Sequence, residues 1–407
     1  MPSKNVICVV VDRLHAGMIG AYGNSWIHTG QFDRVASESF LFDQAMIDSP
    51  QLDRLYRSYW LGLHAAVQTQ RAASESSFPS LARSGGWHTA LITDEREVAQ
   101  NPLAGDFAEQ VFVEPRLEDQ IAEDTSQTQM AALFGAAIHW LQSPRQPFVL
   151  WLHARGMAGA WDAPLEFRNR YADEEDPRPP DFAIVPDRWL RADYDPDERL
   201  GIIHAYAGQV TLLDLCLGAL VDQLRQSPFD ANTLLTLISA RGFPLGEHRR
   251  IGACDEALYN ETVQIPWLMR FPDGLGKLAR SQSLVQPADL PLTLLEWLDL
   301  DRSHFGTPHA SSLLGIIRHD VDMIRDRAWI VSRHDQALRT PAWLLRQPTT
   351  GTAELYAKAS DRWEVSEVAN RLSEVVGGLQ AALEEMKQAG PQDRLPPLAA
   401  TLVTEVD

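Results

Sequence analysis

Asn5-Val6-Ile7-Cys8-Val9-Val10-Val11-Asp12 is the stretch that decides how this chain is built. Apolar or β-branched residues run from Val6 to Val11 without alternation, which is the pattern of a strand buried on both faces in the middle of a parallel sheet. Asp12 stands where such a strand ends, and open α/β sheets bind ligands beyond the carboxyl ends of their strands. A carboxylate there is a candidate functional group. Its plain alternative is a loop aspartate that caps the next turn.

Working outward, further buried strands are predicted over HTALITD (88–94), FVLWLH (148–153), TLLTLIS (233–239) and a short stretch at 265–270, with shorter ones at LFDQAMI (41–47) and EQVFVEP (109–115). Helices are predicted between them at 33–40, at 77–82 with Pro79 in the first turn, at 128–141 and at about 199–226. Strands alternating with helices make an α/β fold, a doubly wound, mostly parallel sheet flanked by helices. The acidic, proline-rich stretch 173–199 reads as a surface excursion with one short helix around Trp189. The texture changes near residue 320, so 1–319 is expected as the α/β domain and 320–389 as a small C-terminal α+β subdomain. In the latter, RAWIVSR and TPAWLLRQ read as strands and 363–388 as a helix pair; 390–407 reads as a loose tail.

The chain has 407 residues, enough for a large core, and its 45% hydrophobic and 22% charged content is ordinary for a globular protein. Its net charge of −19 argues against unaided binding to nucleic acid or an anionic membrane. Cys8, Cys216 and Cys254 stand in unrelated contexts, so no disulfide framework and no Cys-x-x-Cys metal knuckle is expected. No basic-then-apolar leader precedes the first strand and no apolar run approaches about 18 residues, so a cytoplasmic location is expected. Most of the tryptophans fall in apolar strands or helices, where core packing explains them. A partner-binding role for the acidic excursion and these tryptophans is a further possibility.

The residues after Asp12, RLHAGMIGAYGN followed by TGQFDRVASESFLFDQAMIDSP, resemble the opening of the sulfatase family within the alkaline phosphatase superfamily. The family's Leu-Gly-x-Tyr-Gly-Asn turn corresponds to Ile19-Gly20-Ala21-Tyr22-Gly23-Asn24, and its Pro-Asn-Leu-Asp-Arg-Leu helix start to Gly30-Gln31-Phe32-Asp33-Arg34-Val35. Ala353-Glu354-Leu355-Tyr356, Asp361-Arg362-Trp363-Glu364-Val365 and Val368-Ala369-Asn370 resemble the family's C-terminal subdomain, a small antiparallel sheet.

The resemblance implies a site for sulfate-ester hydrolysis. The family uses a formylglycine made from Cys, or sometimes Ser, in a Cys-x-Pro-x-Arg motif, a divalent metal that is usually calcium, and cationic groups that stabilise charge. The family's paired acids fall here on Asp12 and Arg13. Its later acidic pair falls on Ala240 and Arg241, in a register fixed by Leu245-Gly246-Glu247-His248. Of the four metal positions only Asp12 is kept, so no cofactor is expected, calcium included. Leu52 stands at the nucleophile position and Tyr56 at the motif arginine, with Arg54 as a shifted substitute. No cysteine is followed by x-Pro-x-Arg or x-Ala-x-Arg. Ser49 and Ser58 are nearby hydroxyls, and serine is weak without an activating base or metal. Ser77-Phe78-Pro79-Ser80 is explained as a helix start. The catalytic histidine, aspartate and lysine positions read Ala158, Gly156 and Ala253, although Trp161-Asp162-Ala163-Pro164 persists. His153, at a strand end, is either a structural histidine or a group facing the cleft; Glu247 and His248 are expected to brace their loop.

Sulfatase chemistry is therefore not expected, and three readings stay open. Asp12 pairs with Arg13 or Arg241, which replace the ion as the tie between strand ends. Alternatively Asp12, Arg13, Arg241 and Arg54 form a converted pocket that binds a small anion, a sulfate or phosphate ester, without cleaving it. The third is a divergent, metal-independent hydrolase that recruits Asp12, His153 and Ser49 anew. No nucleic-acid or membrane partner is expected, and the sequence leaves any protein partner open.

Overall fold

Strand Asn5–Val11 is buried at every residue and lies between two parallel partners, Phe148–Ala154 on one side and Thr233–Ser239 on the other. The computed structural model describes residues 4–67, 76–116, 120–255, 257–302, 305, 310–389 and 395–404. Two compact units are formed. The first comprises Met1–Leu41, Ala82–Cys254 and Ile265–Arg280; the second comprises Phe42–Leu81, Asp255–Gln264 and Ser281–Asp407. Each draws on three stretches of chain, whereas texture along the sequence suggested one boundary near residue 320. Strand pairing joins distant segments in a way that local composition does not record.

In the first unit, His88–Thr93 extends the sheet beyond Phe148–Ala154 in parallel, followed by Glu109–Phe112, also parallel. Trp267–Arg270 continues the sheet on the other side, antiparallel to Thr233–Ser239. Ile7, Val9 and Val11 join the core under helices Gln129–Leu141 and Pro196–Arg225, while Val6, Cys8 and Val10 on the opposite face are equally buried. Burial on both faces is why the strand reads as an unbroken apolar run. Thr128 caps helix Gln129–Leu141 by accepting the Ala131 N–H at 3.2 Å, and Asp195 caps Pro196–Arg225 through Asp197 at 3.0 Å. The long helix is apolar and long enough to pass as a membrane span, contrary to the expectation that no such run exists; most of it is buried inside this unit, where its residues contact helices and sheet.

Around Trp189 the structure has no helix. Arg188–Trp189 is a two-residue strand antiparallel to Arg250–Ile251, a pairing with a partner remote in sequence.

The second unit contains a four-stranded antiparallel sheet, Ala328–Val331, Asp335–Arg339, Trp343–Pro348 and Glu354–Ala357, joined in that order. Leu338, Leu345 and Leu355 pack with Leu379 and Leu383 of helix Ser373–Gln388. Instead of a helix pair over 363–388 there is this single helix, preceded by turns in which Glu364 has φ +58°. Of the expected tail, 390–394 and 405–407 lie outside the described residues. Its described part is docked, with Leu402 buried in the same cluster and the Trp343 indole donating to the Thr401 carbonyl at 3.1 Å.

Candidate functional site

Four neighbouring parallel strands of the first unit place polar groups at their carboxyl ends: Asp12, Asp94, His153 with Arg155, and Arg241. Asp12 is wholly buried, and the guanidinium of Arg241 grips its carboxylate with two hydrogen bonds, Nε to Oδ1 at 2.9 Å and a second from an Nη to Oδ2 at 2.5 Å. Such fork-to-fork contact is the strongest common form of charge-assisted hydrogen bonding. Burial pushes the Asp12 carboxyl up. The charge and hydrogen bonds of Arg241, with the charge of Arg13, overcome that and hold it below its ordinary value.

The backbone around this pair is tightly tied. The Asp12 N–H donates to the Ala154 carbonyl at 2.9 Å, the Asp12 carbonyl accepts the Met157 N–H at 3.0 Å, and the Ala240 N–H donates to the Val11 carbonyl at 2.9 Å. Arg13 is buried and takes a left-handed φ of +62°. Its carbonyl accepts the Tyr206 hydroxyl at 2.8 Å, and the Tyr206 hydroxyl oxygen in turn accepts the His15 N–H at 2.8 Å. Gly156 has φ +55°, and a Cβ there would lie 2.6 Å from the Asp12 carbonyl oxygen. The position where the family's aspartate was expected thus has no room for any side chain.

His153 is also fully buried. Burial lowers its pKa to about 4, and the charges of Arg241 and Arg155 act in the same direction against that of Asp12. The ring is neutral near pH 7. Between about pH 6.5 and pH 4 the unfolded chain gains a proton here and the folded chain does not, so this group makes stability fall on acidification. Asp94 works in the opposite sense: burial raises it to about 6, and its contribution is present in acid and lost as pH rises through that value. His153→Gln is expected to flatten the loss of stability between pH 6.5 and pH 4, read by urea unfolding at the two ends of that window. An unchanged slope would assign the loss to other groups.

Sequence reasoning missed two features of this site. Asp94 accepts the Arg155 N–H at 2.8 Å and the Gln129 side-chain amide at 3.2 Å. The available signal was its place at the end of a buried strand, the same place that singled out Asp12. His15 lies with Nε2 at 3.5 Å from Glu247 Oε1, while Glu247 Oε2 accepts the Leu245 N–H at 2.6 Å. Glu247 does brace its loop, and its partner was not foreseeable from spacing.

The remaining candidates lie in the second unit. Ser49 is fully buried and its hydroxyl accepts the Gln51 N–H at 3.3 Å. Ser58 is fully buried against Asp48, whose carboxyl is pushed up to about 7 by burial. Leu52 begins helix Leu52–Leu61, and Tyr56 packs its ring 4.4 Å from that of Trp60. Arg54 is half-buried and lines a cavity whose walls include none of Asp12, Arg13 or Arg241.

This donor set does not fit a calcium ion. Calcium takes six to eight oxygens, typically from several carboxylates. At these strand ends the one surviving family carboxylate has both oxygens on a guanidinium, and Ala240 offers no side-chain oxygen.

A family model described as Sulfatase matches residues 4–300. A sulfatase of Formosa agariphila is 29% identical over 162 residues, covering 39% of this chain and only 31% of that protein. The uncharacterized sulfatase YidJ of Escherichia coli is 22% identical over 347 residues, covering 74% of this chain and 69% of its own length. Among solved structures, a protein in complex with its substrate D-glucosamine-2-N,6-O-disulfate has a TM-score of 0.78 at 15% identity, covering 97% of this chain and 100% of that one. The phosphonate monoester hydrolase of Agrobacterium radiobacter has a TM-score of 0.77 at 15% identity, with 95% of both chains covered. At such identities the structural likeness speaks to fold alone.

Proposed function

The chain belongs to the sulfatase family, and from that premise we propose that it is a catalytically inactive member, a pseudoenzyme with a binding or structural role. The observation that carries this reading is the buried ion pair in which Arg241 holds both carboxylate oxygens of Asp12. Sulfate-ester hydrolysis in this family needs a cation to polarise the ester oxygens and an activated nucleophile. Here a side chain of this protein occupies the carboxylate that would share in holding the cation, and Leu52 stands at the nucleophile position.

The same chemistry counts against a re-wired hydrolase. Asp12 is committed to Arg241, His153 is buried and hard to protonate, and the Ser49 hydroxyl accepts a backbone N–H. A general base must reach the proton it removes and carry a matched pKa. The sulfated sugar bound by one structural relative supports a small sulfate or phosphate ester as the class of ligand for a non-catalytic role.

Two measurements on the purified protein test the proposal. Turnover of 4-nitrophenyl sulfate and of 4-nitrophenyl phosphate is expected to stay at the buffer rate with calcium, magnesium or EDTA. The melting temperature is expected to be the same with calcium and with EDTA, because only a ligand bound by the native state shifts it. A calcium-dependent rise reversed by EDTA, or turnover that follows it, would overturn the reading.

A further inference from the structure

The second unit carries an open cleft of about 1410 Å³. Among the described residues its walls carry Arg54, Arg325, Arg327, Arg333 and Lys387 against one carboxylate, Asp326. In a chain of net charge −19 this is a local reversal of sign, and a concave wall of one sign concentrates counter-ions.

The cations are not equivalent. Arg325 is fixed by Asp289, which is fully buried, through hydrogen bonds from both Nη atoms at 2.5 Å. Arg327 is held by Asp326 at 2.8 Å and 3.2 Å, and Lys387 by Glu384 at 3.2 Å. Among the described residues, neither Arg54 nor Arg333 is in an ion pair. Two guanidiniums with no carboxylate partner among the described residues are suited to bidentate contact with tetrahedral oxyanions, since the planar fork matches two oxygens at once.

Size and lining narrow the class further. A lone phosphate or sulfate would occupy a small part of this volume; pockets for drug-sized ligands run to about 300–1,000 Å³. The lining also includes Trp329, Val67 and Ile324, surfaces that can cover a ring or hydrocarbon face. His64 is tied inward, its Nε2 2.8 Å from the Trp329 carbonyl oxygen and its Nδ1 accepting the Ala66 N–H at 3.1 Å. It therefore fixes the wall and leaves recognition of charge to the arginines.

We propose that this cleft binds a sugar-sized organic anion carrying two phosphate or sulfate ester groups, held by Arg54 and Arg333. The proposal rests on the second unit alone and stands or falls separately from the reading of Asp12 and Arg241.

Isothermal titration calorimetry on the 407-residue chain tests it with two probes, fructose 1,6-bisphosphate and a disulfated glucosamine. Saturable one-to-one binding of at least one probe is expected, weakening as sodium chloride is raised. Arg54→Ala/Arg333→Ala is expected to weaken it tenfold or more with an unchanged melting temperature. Binding of one probe alone supports the site and assigns the ester as phosphate or sulfate. Should the double variant fail to fold, the exposed Arg333→Glu carries the test, with the same tenfold loss expected. No binding of either probe at millimolar concentration, or wild-type affinity in the variants, overturns the proposal.

Discussion

Arg241→Ala is expected to destabilise the first unit by about 3–5 kcal/mol at neutral pH, because it strands the Asp12 carboxylate in the interior without its counter-charge. Asp12 is 0% exposed and both its oxygens are bound by the Arg241 fork. The desolvation of that carboxylate is already committed by the fold, and removing the guanidinium leaves it uncompensated. Arg13 supplies charge nearby, so the loss should fall toward the lower end of the range. Guanidinium chloride unfolding of the two proteins measures it. A double replacement, Asp12→Ala with Arg241→Leu, removes both charges and is expected to recover most of the loss, since the net worth of a buried pair is small. The pH dependence follows from the depressed folded-state pKa of Asp12. Stability from the pair is present above the ordinary carboxyl value of 3.8 and is lost as pH falls through the lower folded value. In Arg241→Ala the carboxyl titrates at higher pH, so the gap between variant and wild type should shrink in acid. A gap that is constant with pH would mean that Arg241 acts by packing rather than charge.

Gly156→Asp, which would write an acid back at the corresponding family position, is expected to cost about 3 kcal/mol rather than help. The backbone there has φ +55°, and a Cβ would approach the Asp12 carbonyl oxygen and the Val11 side chain to 2.6 Å each. A non-glycine residue in left-handed conformation costs about 1–2 kcal/mol, and overpacking adds about 1–3. The cause is steric, so Gly156→Ala should lose nearly as much as Gly156→Asp, and added calcium should rescue neither. Thermal melts of both variants with and without calcium decide this. An aspartate variant as stable as wild type would show that the loop can open to receive a side chain.

These two sites show what could be read in advance. Buried parallel strands were legible because their signal is local: Thr233–Ser239 was delimited to the residue, and the helix expected over 128–141 is Gln129–Leu141. The chemical identities at the strand ends were legible too, since Asp12, Arg13, Ala240 and Arg241 needed only a register. The choice of partner was not. Whether Asp12 faced Arg13 or Arg241 depends on side-chain direction, and Arg13 turns into a left-handed conformation that no local pattern announces. The strand at Arg188–Trp189 was misjudged for a related reason, its edge being completed by Arg250–Ile251. Arg54 and Ser49 were grouped with Asp12 by motif position; they belong to the second compact unit and Asp12 to the first. The basic cleft was invisible in sequence, because its cations come from stretches far apart, each ordinary in its own neighbourhood.

The central position of the first strand has a consequence for synthesis. Val11 and the Ser239 hydroxyl that donates to it lie 228 positions apart, and the intervening chain includes the apolar helix Pro196–Arg225. At about 5–20 residues per second, the ribosome delivers the last parallel neighbour only some tens of seconds after the first strand has emerged. Throughout that interval Asn5–Val11 has an unpaired edge and the helix lacks part of the surface that buries it. A nascent chain of this kind offers holdase chaperones a long-lived client, and its yield should depend on translation speed more than on final stability.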